Sequence, residues 1–137
     1  MFSFLYNLSR ENILLNILFR LLYHCDIPME SRIAKSVKFN HGALGVVIHP
    51  KTIIDDNVWI EHHVCCGQRI GILSEAPHIE KDCVIGAYAI LLGGITIGEG
   101  SVIGAGCIVT HDIPPHSIIY NKLNLIQKIN NKEKGQY

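Results

Sequence analysis

Asp26 and His41, fifteen residues apart, are the pair in this 137-residue chain whose side chains are best suited to chemistry. A carboxylate that holds an imidazole by one nitrogen leaves the other nitrogen free to take a proton from a hydroxyl, which is general-base catalysis. There are eight histidines, so position must single one out. His41 sits in an irregular segment, Asn40-His41-Gly42-Ala43-Leu44-Gly45, and irregular segments on a regular scaffold are where function concentrates. His62 and His63 follow at a comparable place further on and are expected, with Asn40, to line the same cleft and hydrogen-bond a substrate. His41, His62 and His63 have no carboxylate or thiolate motif to complete a metal site, so no metal is expected. No Gly-x-Ser-x-Gly elbow, phosphate loop or dinucleotide fingerprint occurs.

The scaffold that must position these groups is written in a six-residue period. Ile79, Ile85, Leu91, Ile97, Ile103 and Val109 stand at strict six-residue intervals, and the same register recurs as Ile48, Ile54, Ile60 and Cys66 and as Ile27, Ile33 and Phe39. Helices repeat every three to four positions and half-buried strands every two. Hexads therefore imply short strands turning around one narrow core, with roughly eighteen residues to a coil. Two positions before each hexad residue the strand points inward again, and small or β-branched residues stand there, among them Val46, Thr52, Val58, Val64, Cys83, Ala89, Ser101 and Cys107. Glycine follows the hexad residue in Ile85-Gly86, Ile97-Gly98 and Ile103-Gly104, where a tight corner is expected to demand positive φ. The reading is an all-β chain, a parallel β-helix over about residues 27–120.

Two interruptions break the period. Between Phe39 and Ile48 the spacing is nine, so three extra residues bulge at the corner that carries His41. Between Cys66 and Ile79 it is thirteen, so residues 68–76 leave the coil as a projecting loop. One coil brings the chain back over itself at the strand separation of about 4.8 Å, which is expected to bring Asp26 under His41.

Twelve basic and twelve acidic residues balance without a run of either sign, which argues against nucleic-acid capture. The mean hydropathy of +0.25 is high and suggests surface buried between subunits, with membrane contact the less favoured explanation. The five cysteines lack zinc-knuckle spacing, and four fall on inward positions, as small core residues in a reducing compartment would. No cleavable signal sequence is visible, so the cytoplasm is the expected location. Residues 1–25 form a separate helical segment in which Leu14, Leu15, Leu18, Leu21 and Leu22 make an apolar face opposite Asn12, Asn16 and Arg20. Packing of this helix on the β-helix end or a neighbouring subunit is expected. The β-helix domain occupies 26–121, and the tail, 122–137, begins with a short helical pattern.

On Asp26-Ile27-Pro28, Asn40-His41-Gly42, Val58-Trp59-Ile60, Ile85-Gly86-Ala87, Ile103-Gly104-Ala105-Gly106 and Asp112-Ile113-Pro114-Pro115-His116, the chain resembles the hexapeptide-repeat acyltransferases, specifically their serine acetyltransferase-like branch. The resemblance implies a left-handed β-helix, a homotrimer, and acetyl-coenzyme A as co-substrate in clefts between subunits. It makes His41 the catalytic base and Asp26 the acid that orients it. It places an oxyanion-stabilising backbone N–H near Gly67, and makes Ala87 and Ala105 small positions along which the pantetheine arm runs.

Departures from the pattern bear on the acceptor. The histidine near the end of the projecting loop is replaced by Ala76, the acidic residue before the catalytic histidine is Asn40, and the upstream helical domain shrinks to one segment. After the last coil Asn121-Lys122-Leu123-Asn124 replaces Gly-x-Pro-Ala. These departures favour a sugar hydroxyl of a surface polysaccharide (capsule or lipopolysaccharide) as acceptor. Serine is the alternative acceptor, and a non-catalytic assembly module the alternative class.

Overall fold

A computed structural model of the chain describes residues 2–71 and 75–121. Two helices, α1 (Phe2–Ser9) and α2 (Ile13–Tyr23), precede thirteen short strands. These are β1 (Arg32–Ile33), β2 (Lys38–Phe39), β3 (Val47–Ile48), β4 (Ile53–Ile54), β5 (Trp59–Ile60), β6 (Cys65–Gly67) and β7 (His78–Ile79). They continue as β8 (Val84–Ile85), β9 (Ile90–Leu92), β10 (Thr96–Ile97), β11 (Val102–Ile103), β12 (Ile108–Val109) and β13 (Ile118–Ile119). All pairings are parallel, and they form three faces of a prism: β1-β4-β7-β10, β2-β5-β8-β11-β13 and β3-β6-β9-β12. We call these the first, second and third faces. The tail, including its expected short helix, lies outside the described residues.

The register turns the sequence period into geometry. His78 pairs with Thr96, Val84 with Val102 and Ile90 with Ile108, an offset of eighteen residues in each case. Where the nine-residue spacing intervenes, Lys38 pairs with Trp59, an offset of twenty-one; where the thirteen-residue spacing intervenes, Ile53 pairs with His78, an offset of twenty-five. The strands thus stay in step across both interruptions, and the three extra residues of the first are extruded at its corner. The last coil is shortened instead, since Val102 pairs with Ile118 after only sixteen residues.

The hexad residues from Ile48 to Val109 are at most 2 % exposed, and their inward partners two positions earlier, from Val46 to Cys107, are all buried. Each buried aliphatic side chain contributes about 1.5–3 kcal/mol by leaving water, and the column of them is the core. Cysteine serves as a small apolar filler: all five thiols are free, and burial pushes Cys25 up to about 11 and Cys66 higher still.

The glycines after the hexad residues serve a different purpose from the one expected. Positive φ falls three residues after the hexad position, at His63, Tyr88 and Gly106, and not at Gly86, Gly98 or Gly104. What Gly86 supplies is clearance, because a Cβ there would lie 2.6 Å from the Ala105 nitrogen and 2.8 Å from the Ile103 oxygen of the next coil. Backbone stacking, not turn conformation, excludes a side chain.

The N-terminal segment also departs from expectation in two ways. It is two helices, broken before Asn12, whose side chain caps α2 by accepting from the Leu14 and Leu15 N–H groups. And α2 docks through its polar side: Asn16 and Phe19 are buried, while Leu14, Leu18, Leu21 and Leu22 are 52–73 % exposed. The open end of a parallel β-helix explains this, because its first coil presents unpaired carbonyls that need donors. Asn16 donates to the Ile27 carbonyl, and the Arg10 guanidinium donates to those of Met29, Ser31 and Ile33. Among the described residues no helix is long and apolar enough to cross a membrane.

Candidate active site

The corner between the second and third faces carries most of the expected functional residues. Phe39 pairs with Ile60, Ile60 with Ile85, and Ile85 with Ile103, so the residues just beyond them rise in levels along one vertex of the prism. Two positions past those pairs stand His41, His62, Ala87 and Ala105. The vertex therefore has imidazoles at its lower end and small side chains above.

His41 is held by the three-residue bulge, which the chain closes as a 3-10 segment, Asn40–Ala43. His41, Gly42 and Ala43 all have positive φ, at 52°, 63° and 56°. His41 and Ala43 carry a Cβ, so these conformations cost energy and are sustained by the surrounding fold. Ala43 is fully buried and anchors the bulge, which leaves the His41 side chain 65 % exposed at the rim.

Asp26 does not make the pairing with His41 that its spacing implies. It forms a parallel bridge with Val47, past the corner and on the third face, where Arg20 of α2 engages its carboxylate in an ion pair. No ion pair joins Asp26 to His41 among the described residues. The acid that faces His41 is Glu61, whose Oε2 lies 3.8 Å from His41 Nε2, while its Oε1 accepts a hydrogen bond from Asn40 Nδ2 at 2.5 Å. Glu61 was legible in principle: adding the three-residue insertion to an eighteen-residue coil puts it one level above Asn40.

His62 stands edge-on to His41, with ring centroids 5.0 Å apart and planes at 86°. Its Nδ1 is buried without a hydrogen-bond partner. His63 stands edge-on to His62 at 5.5 Å and 85°, and its ring stacks on Tyr88 at 4.6 Å and 10°, over the space above Gly45. Gly45, His63, Tyr88 and Gly106 are the positive-φ residues of successive levels, so His63 belongs to the corner's construction. Ala87 is half-buried and Ala105 exposed, and the Gly106 N–H donates to the Ala87 carbonyl at 2.8 Å. Gly67 ends β6 on the far side of the third face, where its carbonyl accepts from the Gly93 N–H at 3.0 Å. Within one chain it is not part of the vertex.

A second histidine–carboxylate pair lies apart from this corner. On the first face His78 Nε2 is 2.9 Å from Asp55 Oδ2, beside a hollow of about 550 Å³ whose walls include Arg10 and Arg32.

Comparison with known proteins agrees with the fold and alters the reading of the acceptor. Residues 76–111 match the bacterial transferase hexapeptide (six repeats) family. The chain is 34 % identical over 119 residues to a serine acetyltransferase of Buchnera aphidicola, covering 85 % of this chain and 45 % of that protein. Among solved structures it is similar to serine acetyltransferase isoform 3 of Entamoeba histolytica in complex with cysteine, with a TM-score of 0.75 and 30 % identity over 81 % of this chain and 40 % of that one. It is also similar to the Neisseria gonorrhoeae serine acetyltransferase in complex with serine, with a TM-score of 0.70 and 30 % identity over 88 % and 50 %. The chain spans half the length of these relatives or less. The fold is thus the left-handed β-helix that the sequence motifs implied. The expected sugar acceptor and polysaccharide pathway are overturned, since these relatives are serine acetyltransferases.

Proposed function

Because the chain belongs to the hexapeptide-repeat transferases, on their serine acetyltransferase-like branch, we propose that it transfers the acetyl group of acetyl-coenzyme A to the hydroxyl of serine. The observation that carries this reading is the vertex itself: an exposed imidazole at φ +52°, faced by a carboxylate, below a run of small residues. His41 takes the proton from the serine Oγ, and the oxygen attacks the thioester carbonyl. The tetrahedral intermediate collapses with cleavage of the carbon–sulfur bond, and the imidazolium returns its proton to the departing thiolate. Glu61 stabilises the imidazolium between those steps, and Asn40 steadies Glu61. Ala87 and Ala105 leave room for the pantetheine arm, which a larger side chain would obstruct. Gly67 acts from a neighbouring chain if it supplies the oxyanion-stabilising N–H.

The assembly that fits this site is a homotrimer. Outward residues Trp59, Val84, Val102 and Ile118 form one apolar row on the second face, and Val47, Cys65, Ile90 and Ile108 another on the third. Several are strongly exposed, up to 71 % at Ile118. Both rows flank the vertex, so packing copies against them buries apolar surface and encloses the site in a cleft. The free thiols suit a reducing compartment, in line with a cytoplasmic enzyme.

The test is to incubate the protein with acetyl-coenzyme A and serine, following thiol release and O-acetylserine by mass spectrometry. Serine-dependent release with matching product supports the reading. Absence of both thiol release and coenzyme A binding refutes it and leaves an assembly module.

A further inference from the structure

The fold brings a carboxylate, Glu61, beside the two imidazoles of the vertex. His41, Glu61 and His62 each offer a ligand atom, and these atoms lie within 4.8 Å of one another. Bonds of about 2.0–2.1 Å arranged tetrahedrally put ligand atoms roughly 3.3 Å apart, so closing the set on an ion needs shifts of under about 1 Å per side chain. His41 is free to make such a shift at 65 % exposure, and the His41 Nε2 to Glu61 Oε2 distance is already 3.8 Å.

Three further features suit this cluster to a cation. The Nδ1 of His62 is buried and unpartnered, an imidazole nitrogen with unused bonding capacity. Asn40 Nδ2 bonds the Glu61 oxygen that does not face His41, which fixes the carboxylate as an outer-shell partner fixes a metal ligand. And Arg20, the cation of α2 beside the third face, is committed to Asp26. Two imidazoles and one carboxylate suit a borderline transition ion better than magnesium or calcium, which prefer all-oxygen shells.

We propose that His41, Glu61 and His62 bind one divalent transition ion per chain, zinc being the best match, and that the bound ion inhibits acetyl transfer. Coordination occupies the imidazole lone pair, so His41 cannot accept the serine proton. The binding site stands on geometry alone; the inhibition rests on His41 as the base.

The test uses chelator-treated protein titrated with Co²⁺, read by the visible d–d absorption of the bound ion and its loss when Zn²⁺ is added. One Co²⁺ per chain is expected, with affinity weakened at least about ten-fold in both Glu61→Gln and His62→Ala. His78→Ala, in the other exposed histidine–carboxylate pair, should leave the affinity unchanged, and circular dichroism confirms that each variant is folded. No saturable band, or equal affinity in the wild type, Glu61→Gln and His62→Ala, overturns the site and leaves the proposed transfer reaction untouched. Zn²⁺ should suppress transfer over the concentrations at which it displaces Co²⁺. Displacement without suppression overturns the inhibitory half and counts against His41 as base.

Discussion

Gly86→Ala tests the stacking that sets the height of each level along the vertex. The new Cβ would lie 2.6 Å from the Ala105 nitrogen, whereas ordinary contacts begin near 3.4 Å. The coils must therefore part locally by about 0.8 Å from a separation of about 4.8 Å. Such a shift stretches the Gly86 N–H to Ile103 carbonyl bond from 2.7 Å to the limit of hydrogen bonding. Losing that bond costs about 1 kcal/mol and overpacking roughly 1–3 kcal/mol, offset by about 0.4–1 kcal/mol from the stiffer unfolded chain. The net cost is about 1–3.5 kcal/mol, centred a little above 2. Gly106→Ala is the matched control, since its φ of +69° makes alanine strained but its Cβ would meet only Asn121 Nδ2, 3.7 Å away. Its left-handed strain of about 1–2 kcal/mol, less the same offset, leaves roughly 1 kcal/mol. Urea denaturation of the two variants at one protein concentration should place Gly86→Ala clearly below Gly106→Ala. If the two lose equal stability, or Gly106→Ala loses more, coil clearance is not what the post-hexad glycines provide.

Ala105→Leu should raise the KM for acetyl-coenzyme A at least about ten-fold, seen in initial rates, if the upper vertex carries the pantetheine arm. Arg10→Ala withdraws a charged donor from three carbonyls at the open end of the first coil and should cost about 2 kcal/mol in urea denaturation, with α1 and α2 loosened first in hydrogen exchange. Burial raises the thiol of Cys25 to about 11 and also lifts those of Cys66 and Cys83. Unfolded thiols ionise near about 8.5, so above that pH the unfolded chain holds fewer protons than the folded one. Stability should therefore fall as pH rises past about 8.5; a urea midpoint that climbs from pH 8 to pH 10 contradicts the assignment.

The β-helix was legible because its period is unlike that of a helix or an ordinary strand, and because a narrow core admits little besides the hexad residue and its small partner. The two interruptions were readable too, as departures from six that reappear as offsets of twenty-one and twenty-five in the strand register. Less visible were features set by atoms at the ends and corners. The leucine face of α2 looked like the docking face, yet the carbonyls of the first coil attract Asn16 and Arg10, and hydrophobic periodicity does not register that demand. Spacing pointed to Asp26 as the partner of His41, but Arg20 claims that carboxylate and the bulge turns His41 toward Glu61. His62 and His63 looked equivalent as neighbours, and the positive φ of His63 sends its ring onto Tyr88.

The most direct test of the vertex as an acetyl-transfer site is His41→Asn, chosen because asparagine tolerates the left-handed conformation at φ 52° that alanine would strain. With serine and acetyl-coenzyme A, thiol release should fall by about 10²–10⁴-fold, while calorimetric binding of coenzyme A and the melting temperature stay close to wild type. Turnover within about three-fold of wild type in a folded, coenzyme A-binding variant would contradict the account, because proton abstraction would then belong to another residue.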